Sequence, residues 1–193
     1  MESLCQDEVT VMEHCRRGSK EAFEAIVRRY MKDAYFIALG LVGNREDALD
    51  LSQEAFIHTY RNIKRFNPDR KFFPWFYQIL RNLCFNHLKK TRDERRRFAE
   101  RFGDQEIERD AGDLFTPDVV AERNETKDRV WKAIGRLDDK HREVIILRHF
   151  RSLSYEQIAQ NLFCGKGTVM SRLYYARKRL KEILDSQKGG QQE

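Results

Sequence analysis

Between residues 165 and 184 the chain reads GKGTVMSRLYYARKRLKEIL, and the two faces of this stretch differ in kind. Val169, Leu173, Ala176, Leu180 and Ile183 recur at alternating spacings of four and three, the apolar stripe of an α-helix. The other side carries Lys166, Met170, Ser171, Tyr174, Arg177, Lys178 and Lys181. Over 166–184, six Lys or Arg stand against one acid, Glu182. Cations and hydroxyls spaced along one helix suit contact with phosphates and base edges. The bland alternative is a solvated basic face on a packing helix. Upstream, SYEQIAQNL opens on Ser154 with Gln157 three residues later, the spacing of a capping box, and FCGKG then turns the chain. A capped helix, a short Gly-containing turn and a basic amphipathic helix describe a helix-turn-helix, whose second helix enters the DNA major groove. Lys166, Thr168, Met170 and Ser171 fall in its first turns. Tyr174, Tyr175 and Arg177 lie further along, with Arg172 and Arg179 at the flanks.

A second chemistry is written in FNPDRKFFPWFYQILRNLCFNHLKK, residues 66–90. Phe72, Phe73, Trp75, Phe76 and Tyr77 crowd one turn and a helix start, more rings than the stripe of Ile79, Leu80 and Leu83 can readily bury. Around them stand Asn67, Arg70, Lys71, Arg81, Asn82, Lys89 and Lys90. Aromatic rings among cations form a stacking platform for the bases of single strands. The competing reading makes the rings core; both are expected in part, with Trp75 the ring facing nucleic acid. A third surface is acidic. Asp47, Asp50, Gln53 and Glu54 share a helix face away from Leu51 and Ala55, and carboxylates beside basic surfaces suit a protein partner better than phosphate.

Enzyme chemistry is hard to find. The five histidines are scattered without a paired nucleophile or carboxylate. CGKGT lacks the leading Gly and four-residue spacer of a phosphate-binding loop. Four cysteines show no zinc spacing, so neither a metal nor a cofactor is expected, and Cys84 reads as a small core residue.

Helices must position these faces. A chain of 193 residues with 10 Gly and 3 Pro favours helix, and a net charge of +6 suggests an anionic partner. A first helix is expected from Ser19, its N-cap, to about Gly40; a second from Asn44 to about Phe66; a third from about Phe73 to Lys90. Residues 93–124 read as a charged, acidic linker. Helical patterning returns near Glu125 with Val130, Ile134 and Leu137, then Val144, Ile145, Leu147 and Phe150. The charge is segregated: −4 over 1–60, +9 over 61–101, −6 over 103–125 and +5 over 166–184. Alternating blocks of this kind point to separate surfaces with separate partners. With no membrane-length apolar run and no signal peptide, a reducing cytoplasm is the expected compartment.

Four stretches in order, DALDLSQEAFIHTYRNIKRF, PWFYQILRNLCFNHLKK, LDDKHREVIILRHFRSLSYEQIAQNL and KGTVMSRLYYARKRL, resemble the extracytoplasmic-function (group 4) sigma factors of bacterial RNA polymerase. The resemblance covers about 18–92 and 125–184. It implies an all-α fold of two small helical domains, sigma domain 2 over 1–92 and sigma domain 4 with the helix-turn-helix over 125–193, joined by a flexible linker. It implies that Asp50, Gln53 and Glu54 bind the β′ clamp helices of core polymerase. The turn at 67–72 and the helix after it would recognise and open the −10 element, with Asn82 near an extruded base. Residues 166–177 would read the −35 element, and domain 4 would also meet the β flap. A cognate anti-sigma factor is a partner on which the residues are silent. Where the family has Leu-Gly-Ile-Pro in the turn, this chain has Leu162-Phe163-Cys164-Gly165, which moves the expected turn toward Gly165. The rival readings are a dimeric helix-turn-helix regulator of duplex DNA, which leaves the 47–90 surfaces unexplained, and an RNA-binding protein using the aromatic segment.

Overall fold

The structure is a computed structural model that describes residues 8–102 and 125–189. Most of the expected acidic linker, 103–124, lies outside the described residues. Among them the regular elements are eight α-helices and one 3-10 turn, with no strand.

The first helix, α1 (Glu8–Arg16), was not expected from the sequence; Val11, Met12 and Cys15 bury one side of it. In α2 (Lys20–Val42), Ser19 caps the N-terminus by accepting from Ala22 N, and Gly43 closes the C-terminus in the left-handed region at φ 79°. Asn44 caps α3 (Arg45–Asn62) by accepting from Asp47 N, and a 3-10 turn, Ile63–Arg65, follows. Helix α4 (Phe72–Phe102) starts one residue before its expected start and runs well past Lys90, into the expected linker.

After the gap come α5 (Glu125–Gly135), α6 (Asp139–His149), α7 (Tyr155–Leu162) and α8 (Lys166–Gly189). Helices α1–α4 pack on one another, and so do α5–α8. The apolar stripe read from the opening segment is the buried one: Val169, Leu173, Ala176 and Ile183 are all within the core. Cys84 is fully buried, and burial pushes its thiol up to about 12.

The two bundles also dock on each other, α6 and α5 against α2 and α7 against α4. At Gly40 a Cβ would stand 2.6 Å from Ile146 Cδ1, so glycine is what lets α2 approach α6 this closely. Arg142 reaches across to Leu41 O at 2.9 Å while also holding Gly135 O and Leu137 O. Phe150 stacks between Trp131 (4.5 Å) and Phe36 of α2 (6.4 Å).

Candidate promoter and polymerase interfaces

The helix-turn-helix forms as the spacing predicts. Ser154 accepts from Gln157 N at 3.2 Å and Gln157 Oε1 accepts from Ser154 N at 2.8 Å, a complete capping box. The turn does not shift toward Gly165, however. Phe163 is the left-handed residue, at φ 49°, and its N–H bonds Ala159 O. A phenylalanine there carries the steric penalty of a Cβ against its own carbonyl, and its ring is 81% exposed, so no packing offsets the strain. Phe163→Gly should therefore raise the unfolding free energy by about 1 kcal/mol, read as a higher urea midpoint at unchanged slope. An unchanged midpoint would show that the turn carries no strain.

On α8, Lys166, Thr168, Met170, Ser171, Tyr174, Tyr175 and Arg177 are all exposed, and Arg172 is half-buried. Seven of the eight expected −35 residues are thus open to solvent. Lys166 is partly engaged: it pairs with Glu156 of α7 and holds that carboxyl down at about 2. Tyr174 and Tyr175 pack edge to face at 5.3 Å, and both remain more than half exposed.

The acidic face of α3 is equally open. Asp50, Gln53 and Glu54 are exposed; Asp47 is half-buried and faces His87 of α4 at 3.2 Å. Sequence reasoning missed two neighbours, Leu49 and Ile57, each 49% exposed on the same face. Apolar side chains left in water among carboxylates give a protein-docking surface its centre.

The segment expected to meet the −10 element is only partly on the surface. Four of the five rings, Phe72, Phe73, Phe76 and Tyr77, are buried, which corrects the expectation that the helix cannot cover them. The extra cover comes from Tyr30 of α2, at 5.2, 6.2 and 6.5 Å from Phe72, Phe73 and Phe76, and from the C-terminal bundle. Phe73, expected at the nucleic-acid face, lies beneath Arg151, whose guanidinium sits 4.3 Å from its ring centre. Of the five, Trp75 alone is only partly buried, propped against Phe66 at 5.0 Å and Phe72 at 6.0 Å. Arg70, Lys71, Asn82, Lys89 and Lys90 are exposed. Asn67 is exposed but spends its side chain on the turn: Oδ1 accepts from Asp69 N at 3.0 Å.

Arg81 is committed elsewhere. Its guanidinium pairs with Glu143 of α6, a carboxylate only 2% exposed, which also accepts from Tyr77 Oη at 2.6 Å. Burial works against the charged Arg81, but the bond and charge of Glu143 more than offset it and its pKa is raised. Burial, then the Glu143 charge, keeps the Tyr77 phenol un-ionised. Nearby, Gln78 donates to Asn161 O and Arg151 pairs with Asp33. A cleft of about 440 Å³ at this junction brings Arg70 and Lys71 near Arg151 and Gln157.

Against known proteins, the Sigma-70 region 2 model matches residues 26–94 and the Sigma-70, region 4 model matches residues 133–182. The RNA polymerase sigma-H factor of Pseudomonas aeruginosa is 33% identical over 181 residues, 90% of this chain and 92% of that protein. The ECF RNA polymerase sigma factor SigW of Bacillus subtilis is 31% identical over 88% of this chain and 92% of its own length. In fold, the chain is similar to CnrH, solved in complex with the cytosolic domain of CnrY, at a TM-score of 0.68 and 23% identity over 93% of this chain and 97% of that one. It is similar also to the sigma factor RpoE of Bartonella quintana, solved with the anti-sigma factor NepR, at a TM-score of 0.64 and 24% identity over 84% of this chain and 96% of that one. Two region models in the order the sequence motifs predict, and relatives matched along nearly their whole length, leave one assignment: the chain belongs to the extracytoplasmic-function sigma factors of bacterial RNA polymerase.

Proposed function

We propose that this sigma factor carries core polymerase to its promoters through three separate faces. The α3 face of Asp50, Gln53 and Glu54, flanked by Asp47, docks on the β′ clamp helices. The turn at 67–71 and the exposed side of α4, with Arg70, Lys71, Trp75, Asn82, Lys89 and Lys90, takes the −10 element as separated strands. The first turns of α8 read the −35 element as duplex, and the C-terminal bundle meets the β flap. The observation that carries this reading is the segregation of exposed charge, acidic on α3 and basic on α8, with the partly buried Trp75 on a third surface.

The action is binding, not catalysis, and its place is the cytoplasm, where polymerase works. Melting DNA costs about 1.4 kcal/mol per stacked step, and each base stacked on an aromatic side chain returns about 1–3 kcal/mol. Trp75, braced from behind by Phe66 and Phe72, is a rigid surface for that exchange. Neither bundle alone holds enough contacts for tight promoter binding; polymerase, by fixing both on one DNA, raises their effective concentration. In the docked arrangement Glu143 occupies Arg81, so Arg81 reaches the −10 strand only after α6 and α7 leave α4.

Purified protein added to core polymerase should direct initiation at discrete promoters, mapped by their transcript 5′ ends. Under the same conditions Trp75→Ala should slow promoter opening about tenfold, a loss of roughly 1.4 kcal/mol of stacking, while initial closed-complex binding changes much less. Equal losses in both steps would contradict the melting role.

A further inference from the structure

The first helix α1 lies outside both matched regions, yet one of its side chains reaches the promoter-opening helix. The N-terminus of α4 follows Lys71, whose ammonium can only donate and cannot cap a helix. Its first N–H, on Phe72, donates instead to Glu8 Oε1 at 2.9 Å, across 64 residues of chain. The other oxygen, Oε2, accepts from Tyr30 Oη at 2.9 Å and stands 3.8 Å from Arg29. The carboxylate is itself held, because α1 is anchored by buried Val11, Met12 and Cys15. Burial, then the Glu8 bond, pushes the Tyr30 phenol up to about 12, so the phenol stays a donor to Glu8 throughout the physiological range.

We propose that Glu8 is a positioning residue for promoter opening: it caps α4 from outside the two matched sigma regions and fixes the turn that presents Arg70, Lys71 and Trp75 to the −10 strand. This inference rests on the reading of 66–90 as the opening segment. A negative group at a helix N-terminus is favourable with the helix dipole. Asn67 closes the turn on the other side, through Oδ1 to Asp69 N and its carbonyl to Arg70 N at 3.1 Å. The backbone from 67 to 72 is therefore tied at both ends while the Arg70 and Lys71 side chains stay exposed. The same carboxylate binds the Tyr30 hydroxyl, and the Tyr30 ring packs on Phe72, Phe73 and Phe76. One group thus ties α1, α2 and the start of α4 together.

The test uses full-length protein in reconstituted holoenzyme, with opening rates measured on a duplex promoter and on the same promoter premelted across the −10 region. Glu8→Ala should open the duplex about fivefold more slowly, which corresponds to about 1 kcal/mol, with polymerase affinity and activity on the premelted template unchanged. Glu8→Gln should recover to within about twofold, because its amide keeps an acceptor for Phe72 N–H and a donor for Tyr30 Oη. Tyr30→Phe, which keeps the ring and loosens only the carboxylate, should slow opening about twofold and serves as the probe should Glu8→Ala not fold. Duplex opening by Glu8→Ala and Tyr30→Phe at the wild-type rate would overturn the inference, as would equal losses on the premelted template. Wild-type holoenzyme that opens no promoter would instead remove the reading of 66–90 beneath it.

Discussion

Asp50→Lys combined with Glu54→Lys should abolish assembly with core polymerase while the helical fold survives. Both carboxylates are exposed on α3, so their replacement costs the fold little; Glu54 gives up only a solvated pair with His58 at 3.5 Å. At the proposed polymerase interface the balance is different. Leu49 and Ile57 give the face an apolar centre, and the proposed docking sets the acids around it against a basic partner surface. Reversing two charges in such a rim places like charges together, a cost of several kcal/mol; about 4 kcal/mol is a thousandfold in affinity. Equilibrium binding to core polymerase, with circular dichroism as the fold control, reads the effect. Wild-type affinity in the double variant would remove α3 from the polymerase interface.

Glu143→Ala should release the C-terminal bundle from the N-terminal one. Glu143 is the buried centre of the contact: Tyr77 and Arg81 of α4 both end on it. Removing one partner of a buried pair costs about 3–5 kcal/mol, because the other charge is left uncompensated. Arg81 keeps about a third of its side chain in water, which reduces the expected penalty to about 2 kcal/mol, a shift of about thirtyfold toward the separated state. In that state the same groups are hydrated, so the substitution acts on the docked arrangement and not on either bundle's core. Small-angle scattering of the free protein should show a larger radius of gyration, and affinity for single-stranded −10 DNA should rise as Arg81 becomes free. An unchanged radius would mean that Glu143 does not hold the bundles together.

These two effects differ in how far the sequence foretold them. The α3 face was legible because a helix period converts Asp50, Gln53 and Glu54 directly into one side of a cylinder. The caps at Ser19, Asn44 and Ser154 were legible for the same local reason. Glu143 was not. It sits among Val144, Ile145, Ile146 and Leu147, all buried, in a helix packed against α2, α7 and α8, where periodicity no longer separates inside from outside. Its partners are more than sixty residues away, and no local pattern encodes that pairing. The aromatic segment failed in the same way: the missing cover for Phe73 and Tyr77 comes from Tyr30, Arg151 and Glu143, which lie far along the chain. Helix α1 carried a usable signal in Val11, Met12 and Cys15, but a nine-residue segment offers a weak period. At Phe163 the residue type misled, since glycine at 165 was the conformationally cheaper place for a left-handed turn.

The most direct measurement is permanganate reactivity of thymines on a promoter bound by polymerase reconstituted with this protein alone. The account predicts reactive, unpaired thymines across the −10 region together with protection of an upstream hexamer that stays double-stranded. Protection of both regions with every thymine still paired would contradict it, since the protein would then be a duplex reader that leaves the strands closed.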